Sequence, residues 1–206
     1  MDLKEAGLYE GISEVIATTR SVSGVPNAAP IGILCREDEG KDAYFVNLYK
    51  GSQTLSNVME TGELAANVTD DALLFVKAAF DNLDESHFAR FSGFPVLKSA
   101  ESWIKFECHR IEERADSFLF LLTPLAIEQN IKVKVKVKVK AARAINRGLN
   151  AVIEATILAT RYAIAIDERE KDDMNRAIER YTGIVEKCGG HREKEAIDCL
   201  KRLCNE

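Results

Sequence analysis

The sequence predicts a mainly β chain that ends in α-helices. From Gly11 to about Lys140, short runs rich in β-branched and aromatic residues are broken by Gly, Asn, Asp and Pro turn signals. Beyond Lys140 the apolar residues return at helical spacing. Composition agrees: 206 residues with 46% hydrophobic and 30% charged content are ordinary for a globular chain and exclude disorder or a fibrous repeat. The length suits a β unit of about 130 residues plus a smaller appendage, so domains at 1–140 and 141–206 are expected.

Element by element, Ile12–Thr19 reads as a strand running into the Ser23-Gly24 turn, Pro26–Leu34 as a second ending at Glu37–Gly40, and Ala43–Leu48 as a third. These form the front half of a barrel or sandwich. Ser52–Glu60 carries helical spacing at Leu55, Val58 and Met59, with Ser52 as cap and Gly62 past the end. Leu64–Val68 returns to strand. Asp70–Phe80 fits a buried helix or a strand, and helix is the expectation. Asn82–Leu97 reads as an irregular loop limited by Gly93 and Pro95, followed by strands at Ser102–Ile111 and Ser117–Leu122. Ile131–Lys140 alternates Val and Lys strictly, which puts the lysines on one face of a strand. That face is either a basic stripe for an anionic partner or a solvated edge that discourages pairing, and the second reading is preferred. Helices are expected over Ala141–Ile166, Glu168–Cys188 and Arg192–Leu203, the second ended by Gly189-Gly190.

A net charge of −5 gives no electrostatic reason to expect nucleic acid as a partner. The first residues lack a basic flank before an apolar run, and no stretch approaches the roughly twenty apolar residues of a membrane helix. A cytoplasmic location without membrane contact is expected. Five cysteines without framework spacing argue for reduced thiols.

Chemistry concentrates in two segments. In Tyr49–Asn57 a strand runs into a helix: exposed N–H groups at a helix N-terminus attract an anion, Gly51 permits close approach, Ser52 and Thr54 offer hydroxyls, and Lys50 supplies charge. An ordinary capped helix is the plain alternative. In Thr18–Gly32 a strand, a turn and a strand of small residues leave a shallow surface suited to a flat ring, with Pro26 and Pro30 interrupting the hydrogen-bond ladder. An edge strand would look the same.

Taken in order, "TTRSVSGVPNAAPIG", "YKGSQTLSNV" and "TGELAANVTDD" resemble the FMN-binding split-barrel superfamily, which includes flavin reductase-like proteins. With "INRGLNAVIEATILATRY" in the tail, the chain is most similar to a mainly archaeal family with a helical C-terminal extension. The resemblance implies a six-stranded antiparallel split β-barrel followed by a helical bundle, a homodimer, and FMN in a groove near the interface. By the same resemblance Asn27, Ala28, Ala29 and Pro30 line the flavin ring, while Lys50, Gly51, Ser52 and Thr54 take the phosphate. Thr18, Thr19, Arg20 and Asn67 are further cofactor-binding candidates. A flavin-dependent oxidoreductase fed by NADH or NADPH follows as an expectation. A non-catalytic FMN-binding protein and an interaction module with an empty groove are the alternatives.

Cys188, His191, Cys199 and Cys204 include zinc-type ligands, but their spacing matches no known pattern, and no metal is expected. Cys108-His109 fails as a nucleophile and base, because neighbours on a strand point to opposite faces.

Overall fold

The computed structural model describes residues 3–38, 41–80, 83–130, 142–162 and 165–204. They form two compact units, residues 1–9 with 14–145 and residues 10–13 with 146–206. The Val/Lys repeat at 131–140 lies outside the described residues.

The first unit is built on a closed barrel of antiparallel strands in the order β1-β2-β3-β8-β7-β4. Its strands are β1 (Gly11–Arg20), β2 (Pro26–Asp38), β3 (Lys41–Tyr49), β4 (Glu63–Val68), β7 (Ser102–Glu113) and β8 (Ser117–Gln129). Alternation fills the interior: Val15, Ile33, Val46, Leu48, Leu64, Ile104, Phe106, Phe120 and Leu122 are buried in one cluster. Helix α1 (Gln53–Thr61) adds Leu55 and Val58 to that cluster. Its ends are those the sequence marks. Ser52 Oγ accepts the Leu55 N–H at 3.2 Å, and Gly62 adopts the left-handed conformation at φ 71° while its N–H bonds Val58 O at 2.8 Å.

Residues 82–97, expected to be an irregular loop, instead contain a hairpin of β5 (Phe88–Phe91) and β6 (Phe94–Leu97). Ser92 and Gly93 both take positive φ, 48° and 74°, the pattern of a two-residue turn whose twist matches its strands. Four-residue strands fall below what alternation can reveal, and Pro95 is tolerated because the ribbon has two edges. A second core holds the hairpin: Phe91, Phe94, Val96 and Leu97 pack with Ile16, Ala65 and Trp103, and with Leu74 and Ala78 of α2 (Ala72–Phe80). Adjacent residues Val15 and Ile16 therefore enter different cores, and β1 is covered on both faces.

The second unit holds α3 (Arg147–Tyr162), α4 (Glu168–Cys188) and α5 (His191–Cys204). Ala151, Ala155, Val185 and Ile197 form its core. Gly148 and Gly189 touch so closely that a Cβ on Gly148 would stand 2.5 Å from Gly189 Cα, which only glycine permits. The first tail helix begins at Arg147 rather than Ala141. Ala142 and Ala144 belong to the barrel core, Ala144 N–H bonds Gly7 O at 2.9 Å, and Asn146 Oδ1 caps the helix by accepting the Leu149 N–H at 3.2 Å.

Candidate functional site

A groove of about 710 Å³ opens beside the β1–β2 turn, α1 and the segment leading into β5. Its polar side is a network of amides and hydroxyls where α1 meets the barrel. Asn57 Nδ2 donates to Thr19 Oγ1 at 3.0 Å, Gln53 Nε2 donates to Asn57 Oδ1 at 2.8 Å, and Asn27 Nδ2 donates to Thr54 Oγ1 at 3.2 Å. Thr19, Thr54 and Asn57 are buried, so the network is held rigidly and its geometry is set before any ligand arrives. Gln53 and Asn57 stand four residues apart and share one face of α1, with Asn27 opposite on β2. Pro26, Ala28 and Phe88 add apolar wall, and Asp84 and Glu85 form an acidic lip.

Beside this network the first-turn N–H groups of Gln53 and Thr54 have no acceptor within α1, as at any helix start, and together with the helix dipole they favour an anion. Gln53 keeps its carbonyl oxygen and a second N–H for a ligand, because its bond to Asn57 uses one donor only.

Asp84 caps the short 3-10 helix Glu85–His87. Its carboxylate accepts from the Ser86 hydroxyl, lies 3.1 Å from His87 Nδ1 and accepts the Ser86 N–H at 2.8 Å. The Ser86 hydroxyl first, then His87, hold its carboxyl below the ordinary value. The lip is therefore negative at neutral pH.

Of the twelve residues expected from sequence, Asn27 and Ala28 line the groove, and Thr19 and Thr54 lie directly behind it. Ala29 and Pro30 follow on β2, half-buried and outside the lining. Gly51 turns at φ 82° into α1, and Ser52 is the helix cap, its hydroxyl donating to Tyr49 O at 2.8 Å. Lys50 Nζ pairs with Glu113 at 2.9 Å, which lowers the Glu113 carboxyl pKa, and stands 5.0 Å from the centre of the Phe118 ring. Arg20 pairs with Glu63 at 3.1 Å, and Lys105 meets the same carboxylate at 2.6 Å.

Thr18 and Asn67 lie away from the groove, fully buried, and fasten the hairpin to the barrel. Thr18 Oγ1 donates to Pro95 O at 2.6 Å; Asn67 donates to Ile16 O at 2.8 Å and accepts the Leu97 N–H at 2.7 Å. The groove also uses Gln53, Asp84, Glu85 and Phe88, which sequence reasoning did not select. Gln53 was visible as the residue one turn before Asn57 on the same face; the other three depend on where the hairpin folds. Among the described residues no group of three or more His, Cys, Asp or Glu could hold a metal ion. None of the helices searched is long and apolar enough to cross a membrane.

Comparison with known proteins places these features in a family. The family described as "Protein of unknown function (DUF447) N-terminal domain" matches residues 13–130, and its companion, "Protein of unknown function (DUF447)", matches residues 146–202. The chain is 39% identical to FMN-bound protein MM1853 from Methanosarcina mazei, with a TM-score of 0.60 over 98% of this chain and 99% of that one. It is 27% identical over 199 residues to uncharacterized protein MJ1453 of Methanocaldococcus jannaschii, covering 94% of this chain and 98% of the relative. Nitrilotriacetate monooxygenase component B from Bacillus cereus shares the fold at 14% identity and a TM-score of 0.50, over 69% of this chain and 80% of that one. The chain belongs to the DUF447 family.

Proposed function

We propose that this DUF447 protein binds FMN in the groove beside α1 and acts as an FMN-dependent oxidoreductase fed by a nicotinamide donor. The observation that carries the proposal is a groove of about 710 Å³, a volume typical of cofactor sites, lined by the amides of Asn27 and Asn57 and backed by the buried hydroxyls of Thr19 and Thr54. The full-length likeness to a protein crystallised with FMN supports it.

The residues fit such a ligand by type. Asn27, Gln53 and Asn57 offer donors and acceptors for the polar edge of the ring, and Pro26, Ala28 and Phe88 offer flat apolar contact. Gly51, Ser52, Gln53 and Thr54 present the helix start to the phosphate, and Lys50 adds charge by exchanging Glu113 for it. Ala29 and Pro30 continue the ring wall along β2. Arg20 supports that wall through Glu63 and the hairpin turn, while Thr18 and Asn67 position β6 rather than touch the ligand. Bound FMN would supply a ring that accepts a hydride from a reduced donor. The protein's part is to hold the ring, exclude water and place fixed donors where negative charge develops. A second copy of the chain completes the assembly as a homodimer.

Two measurements test this. Titration of FMN-free protein, followed by flavin fluorescence, is expected to show saturable binding that Asn57→Leu weakens by about tenfold, the loss of roughly one hydrogen-bonded amide. Absence of binding at tens of micromolar FMN would remove the proposal. Anaerobic mixing of the FMN-loaded protein with reduced nicotinamide dinucleotide is expected to bleach the flavin band within seconds. A band that persists for an hour restricts the function to binding.

A further inference from the structure

Lys50 does not stand alone at the start of α1. Leu48 pairs with Phe118 across β3 and β8, so Lys50, two residues on, shares the face that carries the Phe118 ring, and its N–H bonds Asp116 O at 2.9 Å. Glu113 pairs directly with Phe118 across β7 and β8. Arg110 lies three residues before Glu113, an odd step that on a regular strand points to the opposite face. The register shifts between Arg110 and Glu112, however, and the bulge at Ile111 returns Arg110 to the Glu113 face. Lys50 Nζ and Arg110 Cζ consequently stand 5.0 and 5.5 Å from the centre of the Phe118 ring. Glu113 accepts from Lys50 Nζ at 2.9 Å, and Lys50 first, with Arg110 after it, holds its carboxyl below the ordinary value.

We infer that Glu113 keeps the place of the cofactor phosphate on Lys50, and that Arg110 receives its carboxylate when the phosphate arrives. These two residues then set the affinity for FMN. The inference rests on the FMN reading above and goes beyond it by naming where the displaced charge goes.

A phosphate monoester brings more than one negative charge at neutral pH and three acceptor oxygens, against a single charge for Glu113. It also meets the free first-turn N–H groups of α1. Phosphate therefore wins Lys50, but each binding event breaks the Glu113 pair. Arg110 reduces that cost. Among the described residues its guanidinium donates no hydrogen bond, while Glu112, the other carboxylate beside it on β7, is taken by Arg114 at 2.9 Å. Glu113 thus exchanges one cation for another and is not left uncompensated. Lys50 needs no carboxylate to stay in place, because its backbone bond to Asp116 and the Phe118 ring hold it. Removing Glu113 accordingly frees the ammonium for phosphate. The pair is exposed, 38% and 60% at the two side chains, so its effect is severalfold and no larger.

The test is titration of FMN-free protein with FMN and with riboflavin, which carries the same ring without the phosphate, followed by flavin fluorescence. Glu113→Gln is expected to tighten FMN by about fivefold and to leave riboflavin within about twofold. Lys50→Met should weaken FMN by about tenfold and erase the gain from Glu113→Gln in the double variant. Arg110→Gln should weaken FMN by about threefold with Glu113 present and have no effect beside Glu113→Gln. An FMN affinity that Glu113→Gln leaves unchanged or lowers overturns the inference, as does an unchanged affinity in Arg110→Gln. An equal gain for riboflavin also overturns it, because the effect would then lie at the ring, and so does a gain that persists beside Lys50→Met. In each of these cases wild-type protein binds FMN and the reading of the groove stands. Failure of wild-type protein to bind FMN removes both.

Discussion

Cys108 shows how a single position in the barrel wall sets a pH dependence. Its side chain packs against the barrel core, and burial, aided by the nearby Glu63 and Glu107 charges, pushes the thiol up to about 12 from an ordinary 9.0. The folded protein thus holds this proton more tightly than the unfolded chain does. The stability tied to it is complete below pH 9 and is lost as pH rises toward 12. Because the thiolate is the reactive form, we expect Cys108 to resist alkylation at pH 8.5 in native protein and to react once denaturant is added, read by peptide mass spectrometry. Rapid labelling of the native protein would contradict the burial. The same scale explains which groove residues were legible. Thr54 could be chosen from the local chemistry of the helix start, and Asn27 and Ala28 from the family resemblance, but Lys50 and Arg20 look identical in sequence whether they face a phosphate or a carboxylate. Glu113 and Glu63 lie far along the chain, and only folding brings them within 3.1 Å.

Helix α1 was the most legible element, since both of its boundaries are written in local chemistry: a serine whose hydroxyl replaces a missing acceptor and a glycine that can turn left-handed. The β5–β6 hairpin was the least legible, because its strands are four residues long and its place is fixed by residues elsewhere. Asn67 is the chief of these. Its side chain is fully buried and bonds the backbone of both β1 and β6. Asn67→Leu keeps similar bulk but strands the Leu97 N–H and the Ile16 carbonyl, a loss of about 3 kcal/mol for two buried groups. We expect that drop in urea denaturation, with new proteolytic cleavage near Ser92-Gly93. A change under 0.5 kcal/mol would show that the hairpin is held by its apolar contacts alone.

For the molecule as a whole, the segments that form the six barrel strands and the helical ending could be read from pattern, the count of six came from the family resemblance, and the order of strands around the barrel could not be read from pattern. Nothing local says that β8 separates β3 from β7, because pairing partners are chosen by the closed surface and not by neighbours in sequence. The proposed homodimer also belongs to this scale. On α2, Leu73, Val76 and Phe80 are 63%, 56% and 85% exposed and recur at helical spacing, an apolar stripe on a nine-residue helix whose charged residue is Lys77. We expect sedimentation equilibrium to give twice the 22.9 kDa chain mass, and Val76→Glu with Phe80→Glu to give the single mass without loss of the barrel's circular dichroism. A wild-type protein that sediments as a monomer at micromolar concentration would exclude the dimer.

The pairing of β3 with β8 has a consequence for how the protein is made. β3 ends at Tyr49 and its partner is complete only at Gln129, so a growing chain carries an unpaired strand edge for roughly 4 to 16 s of synthesis at ordinary ribosomal rates. During that interval Phe45 and Leu48 stand beside an open ladder that any other nascent strand can join. A ribosomal pause between residues 50 and 117 would prolong the exposure, whereas one after residue 129 would not. Codon choice across that stretch therefore bears on the yield of soluble protein without altering a single contact in the finished barrel.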